Sequence, residues 1–130
     1  MAASGSHPRP LRIFVVEDHA DTLKWLELYL QHCGHTVFTA RTMQEALSAL
    51  PQAKVDVLIS DIGLPDGDGW ELLRSAHLSY PVYGIAISGF GMKTDLIKSI
   101  AAGYRAHLLK PFRMAELDRL LEEAAEELAL

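Results

Sequence analysis

Five polar side chains sit where short apolar runs end. Glu17 and Asp18 follow Leu11–Val16, Asp61 follows Val55–Ser60, Ser88 closes Val82–Ser88, and Lys110 follows Arg105–Leu109. If those runs are neighbouring parallel strands, all five groups share one rim. Three carboxylates brought into a partly desolvated crevice repel one another, and each is driven toward protonation unless a cation compensates them. A divalent metal is the simplest compensation. Ligation by two carboxylates and a backbone carbonyl, with waters completing an octahedron, suits Mg²⁺ or Mn²⁺ rather than zinc.

The runs themselves predict the elements that must position these groups. β-Branched apolar segments alternate with stretches of helical period, so the expected pattern is strand then helix, repeated five times. The expected strands are 11–16, 36–40, 55–60, 82–88 and 105–109, and the expected helices are 20–33, 42–50, 69–78, 94–102 and 114–130. Thr42 should cap the second helix and Pro51 should end it. The first helix should bury Ala20, Leu23, Leu26, Leu30 and Cys33, and the last Leu117, Leu120, Leu121, Ala124 and Leu128. Val57-Leu58-Ile59 shows no alternation, which places the third strand centrally, covered on both faces. Strands joined by helices this long are parallel, so the expected fold is α/β: a doubly wound, five-stranded sheet of order 2-1-3-4-5 with five helices, a flavodoxin-like three-layer sandwich. Ligands bind such sheets outside the carboxyl ends of the strands.

Composition narrows the classes further. The 130 residues carry twelve Lys plus Arg against seventeen Asp plus Glu, a formal charge of -5 that argues against a phosphate-backbone or anionic-membrane partner. A single cysteine excludes an internal disulfide and a multi-cysteine zinc site. No signal core or membrane segment is present in the sequence, so a cytoplasmic domain is expected. Residues 1–10 read as a flexible linker or expression remnant and 11–130 as one domain; no Gly or Pro closes the last helix, which leaves both a longer parent chain and a stand-alone domain open.

Each candidate has a plainer reading alone. Glu17 and Asp18 could cap a helix, Asp61 could be a turn carboxylate, Ser88 a loop hydroxyl, and Lys110 a solvated cation. Their coincidence at adjacent strand ends outweighs those readings. In VVEDHADT (15–22), LISDIGLPDGDGWEL (58–72), AISG (86–89) and HLLKPF (107–112), the chain resembles the receiver domains of two-component response regulators, which also occur in hybrid histidine kinases. The resemblance implies that Asp61 accepts a phosphoryl group and that Glu17, Asp18, Asp61 and the Gly63 carbonyl hold Mg²⁺, Glu17 through water. It implies that Ser88 and Lys110 contact the phosphoryl oxygens, and that the Lys110-Pro111 bond is cis. The implied donor is a histidine kinase or histidine phosphotransfer protein. The implied output is an effector protein on the face of helix four, strand five and helix five, or a second copy of the chain. Such a domain catalyses only its own phosphotransfer and dephosphorylation.

The sequence departs from the family at several positions. His107 stands where an aromatic switch residue is usual, and its imidazole could make the output surface pH-sensitive. Ser88 replaces the commoner threonine; Gly63 and Phe90 occupy positions that tune hydrolysis. Most of the remaining histidines, His7, His19, His32, His35 and His77, are expected to be solvated, with His19 an exposed loop residue beside the acid pair, and the acidic last helix is expected to present a solvated face. Three other functions compete: a degenerate receiver that only docks or dimerises, a phosphatase of the haloacid-dehalogenase type, and a flavin module. The phosphatase needs a second acid at the position of Gly63, and Glu17 and Asp18 would repel a flavin phosphate.

Overall fold

The computed structural model describes residues 10–89 and 93–129, with the backbone alone at 93 and 94. The elements in chain order are β1 (Arg12–Val16), α1 (Ala20–His32), β2 (Thr36–Ala40), α2 (Met43–Ala53), β3 (Val57–Asp61), β4 (Gly63–Leu64), β5 (Gly67–Asp68), α3 (Gly69–Ala76), β6 (Tyr83–Ser88), α4 (Lys93–Ala102), β7 (Ala106–Leu109) and α5 (Met114–Leu128). One five-stranded sheet has the order β2-β1-β3-β6-β7, with every pairing parallel. Counted along the large sheet alone, this is the expected 2-1-3-4-5, with β3 in the middle.

Period two along each strand divides the core. Ile13, Val15, Val57, Ile59, Ile85 and Ile87 pack against Leu23, Leu26 and Leu30 of α1 and Leu117 and Leu121 of α5. Phe14, Val16, Leu58 and Ala86 turn to the other face, where Ala46 and Leu50 of α2, Leu72 of α3 and Ala102 of α4 cover them. The inner strands β1, β3 and β6 are therefore sealed on both faces and read as nearly unbroken apolar runs for that reason, while the edge strands β2 and β7 stay partly exposed. Fully buried leucines such as Leu26, Leu50 and Leu72 each contribute about 1.5–3 kcal/mol of burial free energy. No helix among the described residues is long and apolar enough to cross a membrane.

Several expectations need correction. Pro51 does not end α2, which runs on to Ala53. The interior penalty of about 3 kcal/mol falls here in the last turn. Burial of Leu50 and Ala53 offsets it, and the Arg12 guanidinium donates to the carbonyls of Ala53 (2.6 Å) and Lys54 (3.3 Å) that the helix end leaves open. Lys54, with φ 50°, makes the left-handed stop. The first helix ends at His32; Ala20 is exposed and Cys33 half-buried, since both lie at its edges. Helix α3 ends at Ala76 rather than 78 because His77 turns left-handed. The third strand begins at Val57, and Asp56 before it accepts the Arg12 amide at 2.9 Å.

His35 is buried, and its Nδ1 accepts the Leu11 amide at 3.0 Å. Burial lowers its pKa, so it is held neutral. Asp118 of α5 is not free in solvent: both its oxygens accept from the Tyr29 hydroxyl, at 3.0 and 2.8 Å. The expectations for residues 1–9, for Phe90 and for Leu130 lie outside the described residues.

Candidate functional site

The ladders bring the strand ends to one rim. Val16 pairs with Ser60, Asp61 with Ile87, and Ser88 with Leu109. The residues just beyond extend the ladder, since the Lys110 amide donates to the Ser88 carbonyl (2.8 Å) and the Ile62 amide to the Ile87 carbonyl (2.9 Å). Backbone pairing thus places Glu17, Asp61, Ser88 and Lys110 at the carboxyl ends of the strands.

Glu17, Asp18 and Asp61 each present a carboxylate oxygen, all within 4.8 Å of one another. Glu17 is 2% exposed, the Asp61 side chain 13%, and Asp18 faces solvent. The Lys110 ammonium donates to Asp61 Oδ2 at 2.8 Å and to Glu17 Oε1 at 3.0 Å. Burial pushes the Glu17 carboxyl up despite the His19 amide at 3.0 Å and the Lys110 ammonium, and the Asp61 charge pushes it further. Desolvation works to lower the Lys110 pKa, but the hydrogen bonds and charges of Asp61 and Glu17 outweigh it and the net shift is upward. Among the described residues, Lys110 is the one cation paired with this cluster of three carboxylates, whose donors are all oxygens. That donor set fits a hard divalent cation, Mg²⁺ or Mn²⁺.

The loop after Asp61 is not irregular. It folds back as the hairpin β4–β5, in which Gly63 pairs with Asp68. Asp68 then caps α3 by accepting the Glu71 amide at 2.8 Å. Gly69 is dictated by contact: a Cβ there would stand 2.7 Å from the Asp61 carbonyl oxygen. The Gly69 carbonyl accepts the buried Tyr104 hydroxyl at 2.6 Å, and its amide donates to Ile62 at 2.8 Å. Gly63 itself is exposed on this hairpin, beside Asp61 in the chain.

Ser88 and His107 meet directly. Ala86 and Ser88 share a sheet face, Ala86 pairs with His107, and the Ser88 hydroxyl and His107 Nε2 share a hydrogen bond of 2.9 Å. His107 is therefore partly buried and engaged, and its Nδ1 is a buried atom with no partner among the described residues. Burial lowers its pKa, against a weaker raising effect from Asp95.

Sequence reasoning missed the cap of α1. His19, expected as a plain loop residue, is the N-cap, and its Nδ1 accepts the Thr22 amide at 3.3 Å. No side-chain periodicity signals a histidine cap. It also missed Ser60, whose hydroxyl donates to the Asp61 carbonyl at 2.9 Å. The Lys110-Pro111 bond is cis.

The response regulator receiver domain model matches residues 13–122. The two-component response regulator ARR11 of Arabidopsis thaliana is 39% identical over 119 residues, covering 90% of this chain and 23% of that protein. The KDP operon transcriptional regulatory protein KdpE of Escherichia coli is 36% identical over 112 residues, covering 86% of this chain and 50% of that protein. The chain spans between about a fifth and a half of the length of the curated relatives it matches. A CheY-like receiver domain structure from Methanospirillum hungatei superposes with a TM-score of 0.84 at 29% identity, covering 91% of this chain and 95% of that one.

Proposed function

Because the chain belongs to the response regulator receiver domain family, we propose that Asp61 accepts a phosphoryl group from a partner's phosphohistidine and that the resulting aspartyl phosphate switches a protein-binding surface. The observation that carries this reading is the convergence of Glu17, Asp18 and Asp61 within 4.8 Å with Lys110 on two of them. An Asp61 oxygen attacks phosphorus in line as the donor's P–N bond breaks; the departing imidazole takes a proton from solvent, leaving an O–P anhydride on Asp61. Glu17, Asp18, Asp61 and the Gly63 carbonyl would hold Mg²⁺, which when bound supplies neutralisation of the phosphoryl oxygens. Lys110 adds a second positive charge there, already aimed at Asp61. The chain catalyses this transfer and the later hydrolysis on itself and turns over no other substrate. The cytoplasm is the compartment where we place it.

Phosphorylation then competes with His107 for the Ser88 hydroxyl. A phosphoryl oxygen on Asp61 offers Ser88 a charged acceptor, stronger than a neutral imidazole. Losing Ser88 leaves both ring nitrogens of His107 to be satisfied anew, and the ring lines a cleft with Leu96 and Ile100 of α4. The face made by α4, β7 and α5 exposes Leu96, Ile97 and Ile100 of α4 and Leu109 of β7, apolar surface suited to an effector protein or a second copy of the chain.

The direct test is incubation with acetyl phosphate followed by intact-mass measurement. One phosphoryl group per chain is expected with Mg²⁺ and none with EDTA; no uptake under either condition, with a cognate phosphohistidine donor failing as well, overturns the reading in favour of docking alone. A pH effect also follows from the lowered His107 pKa. The neutral, Ser88-bonded ring is favoured above the unfolded value of about 6.5, and that contribution is lost as pH falls through the lower folded value. NMR titration of the His107 Cε1 proton should therefore show a midpoint below 6.5, and Ser88→Ala should move it. A midpoint at or above 6.5 contradicts the buried, engaged ring.

A further inference from the structure

We infer that the start of α2, which carries no candidate metal ligand, is the gauge that sets the spacing between the two loops bearing the ligands. This rests on the proposed metal site at Glu17, Asp18, Asp61 and Gly63. The loop after β1 is held from one side: the Arg41 guanidinium donates to the Asp18 carbonyl through Nε (3.2 Å) and a terminal nitrogen (2.9 Å). The hairpin after Asp61 is held from the other. Asp66, at the hairpin turn, accepts the Met43 amide on Oδ1 (2.8 Å) and the Gln44 amide on Oδ2 (2.9 Å). These two amides, with the Gln44 one the stronger influence, keep the Asp66 carboxyl below its ordinary value although the group is exposed. The hairpin also lies against the same turn, since a Cβ on Gly67 would stand 2.6 Å from the Met43 side chain.

Arg41 is itself fixed to this turn. Its amide donates to Glu45 Oε1 at 2.9 Å, while the Glu45 amide donates to the Thr42 hydroxyl at 3.1 Å, so residues 41–45 form one hydrogen-bonded corner. Two loops that are remote in sequence, at 18 and at 63–68, are consequently tied to a single rigid point. Asp18 supplies a side chain from one loop and Gly63 a carbonyl from the other, so their separation is fixed by Arg41 and Asp66 acting in series. Neither residue touches the acceptor or its ion pairs; both are positioning residues. A hard cation with strict octahedral demands is sensitive to such spacing, and loss of outer partners typically weakens a metal site by about 10–100-fold.

The series arrangement makes a sharp prediction. Calorimetric titration of Mg²⁺ into the full chain without phosphodonor should show Arg41→Ala and Asp66→Ala each weakening binding by about tenfold, with Asp66→Asn intermediate because its neutral carboxamide keeps one of the two acceptor oxygens. The double variant should bind no more weakly than the worse single one, because either cut frees the spacing. Leu47→Ala, which trims the packing of the same helix outside the 41–45 corner and cuts neither tie, should lower the melting temperature in EDTA and leave Mg²⁺ affinity unchanged. Single variants within twofold of the parent, multiplicative losses in the double, or an equal loss in Leu47→Ala would each overturn the inference. Failure of the parent itself to bind Mg²⁺ would instead remove the metal reading, and the gauge with it.

Discussion

Asp61→Asn should reduce phosphoryl uptake from acetyl phosphate by more than about a thousandfold, below detection by intact mass. A carboxamide oxygen of nearly the same shape lacks the charge and basicity to attack phosphorus, and it contributes a weaker metal donor. The loss should be chemical rather than structural. Asp61 is held in β3 by backbone pairing with Ile87, and its neighbours Leu58 and Ile59 are fully buried on opposite faces, so the strand does not depend on the carboxylate. The variant should therefore melt within a few degrees of the parent in EDTA while taking up no phosphate. Retained uptake in Asp61→Asn would show that another nucleophile is used.

Lys110→Ala should separate two properties that most site variants change together. Its ammonium contacts Asp61 at 2.8 Å and Glu17 at 3.0 Å, on the carboxylates a divalent cation would use. Removing a preorganised charge aimed at the reacting group typically costs about 10²–10³ in rate. The same removal eliminates a competitor for the carboxylates, and Glu17, already pushed up by burial, loses the hydrogen bond that opposes that shift. Phosphorylation at saturating Mg²⁺ should slow by about 10²–10³, whereas Mg²⁺ affinity at neutral pH should rise or hold. Stopped-flow phosphorylation and calorimetry on one sample read both. Parallel losses in rate and affinity would mean that Lys110 organises the metal site rather than serving the phosphoryl group.

What could be read from the chain is explained by how local each signal is. The sheet was legible because strands covered on both faces must be apolar throughout, as Val57-Leu58-Ile59 is. The rim was legible because polar residues at the ends of such runs have one place to go, and Glu17, Asp18, Asp61, Ser88 and Lys110 are gathered there. Contacts between distant side chains left no pattern. Nothing in the spacing announces that His35 accepts from Leu11, that Asp118 takes the Tyr29 hydroxyl, or that Asp66 ties a hairpin to α2. Pro51 misled because its rule is local, while the burial of Ala53 and the Arg12 contacts that extend α2 past it are not. The Ser88–His107 bond lay between these cases: register alone puts both on one face, but only the folded sheet brings them within 2.9 Å.

The most direct measurement traps the product. An aspartyl phosphate is an acyl phosphate, and borohydride reduces it to an alcohol, converting the acceptor aspartate to homoserine. After brief reaction with acetyl phosphate and Mg²⁺, reduction and peptide mapping should place homoserine at position 61 in stoichiometric yield and nowhere else. Reduction at Asp18, at another carboxylate, or at no residue of a chain that has gained phosphate would contradict the assignment of Asp61 as the acceptor.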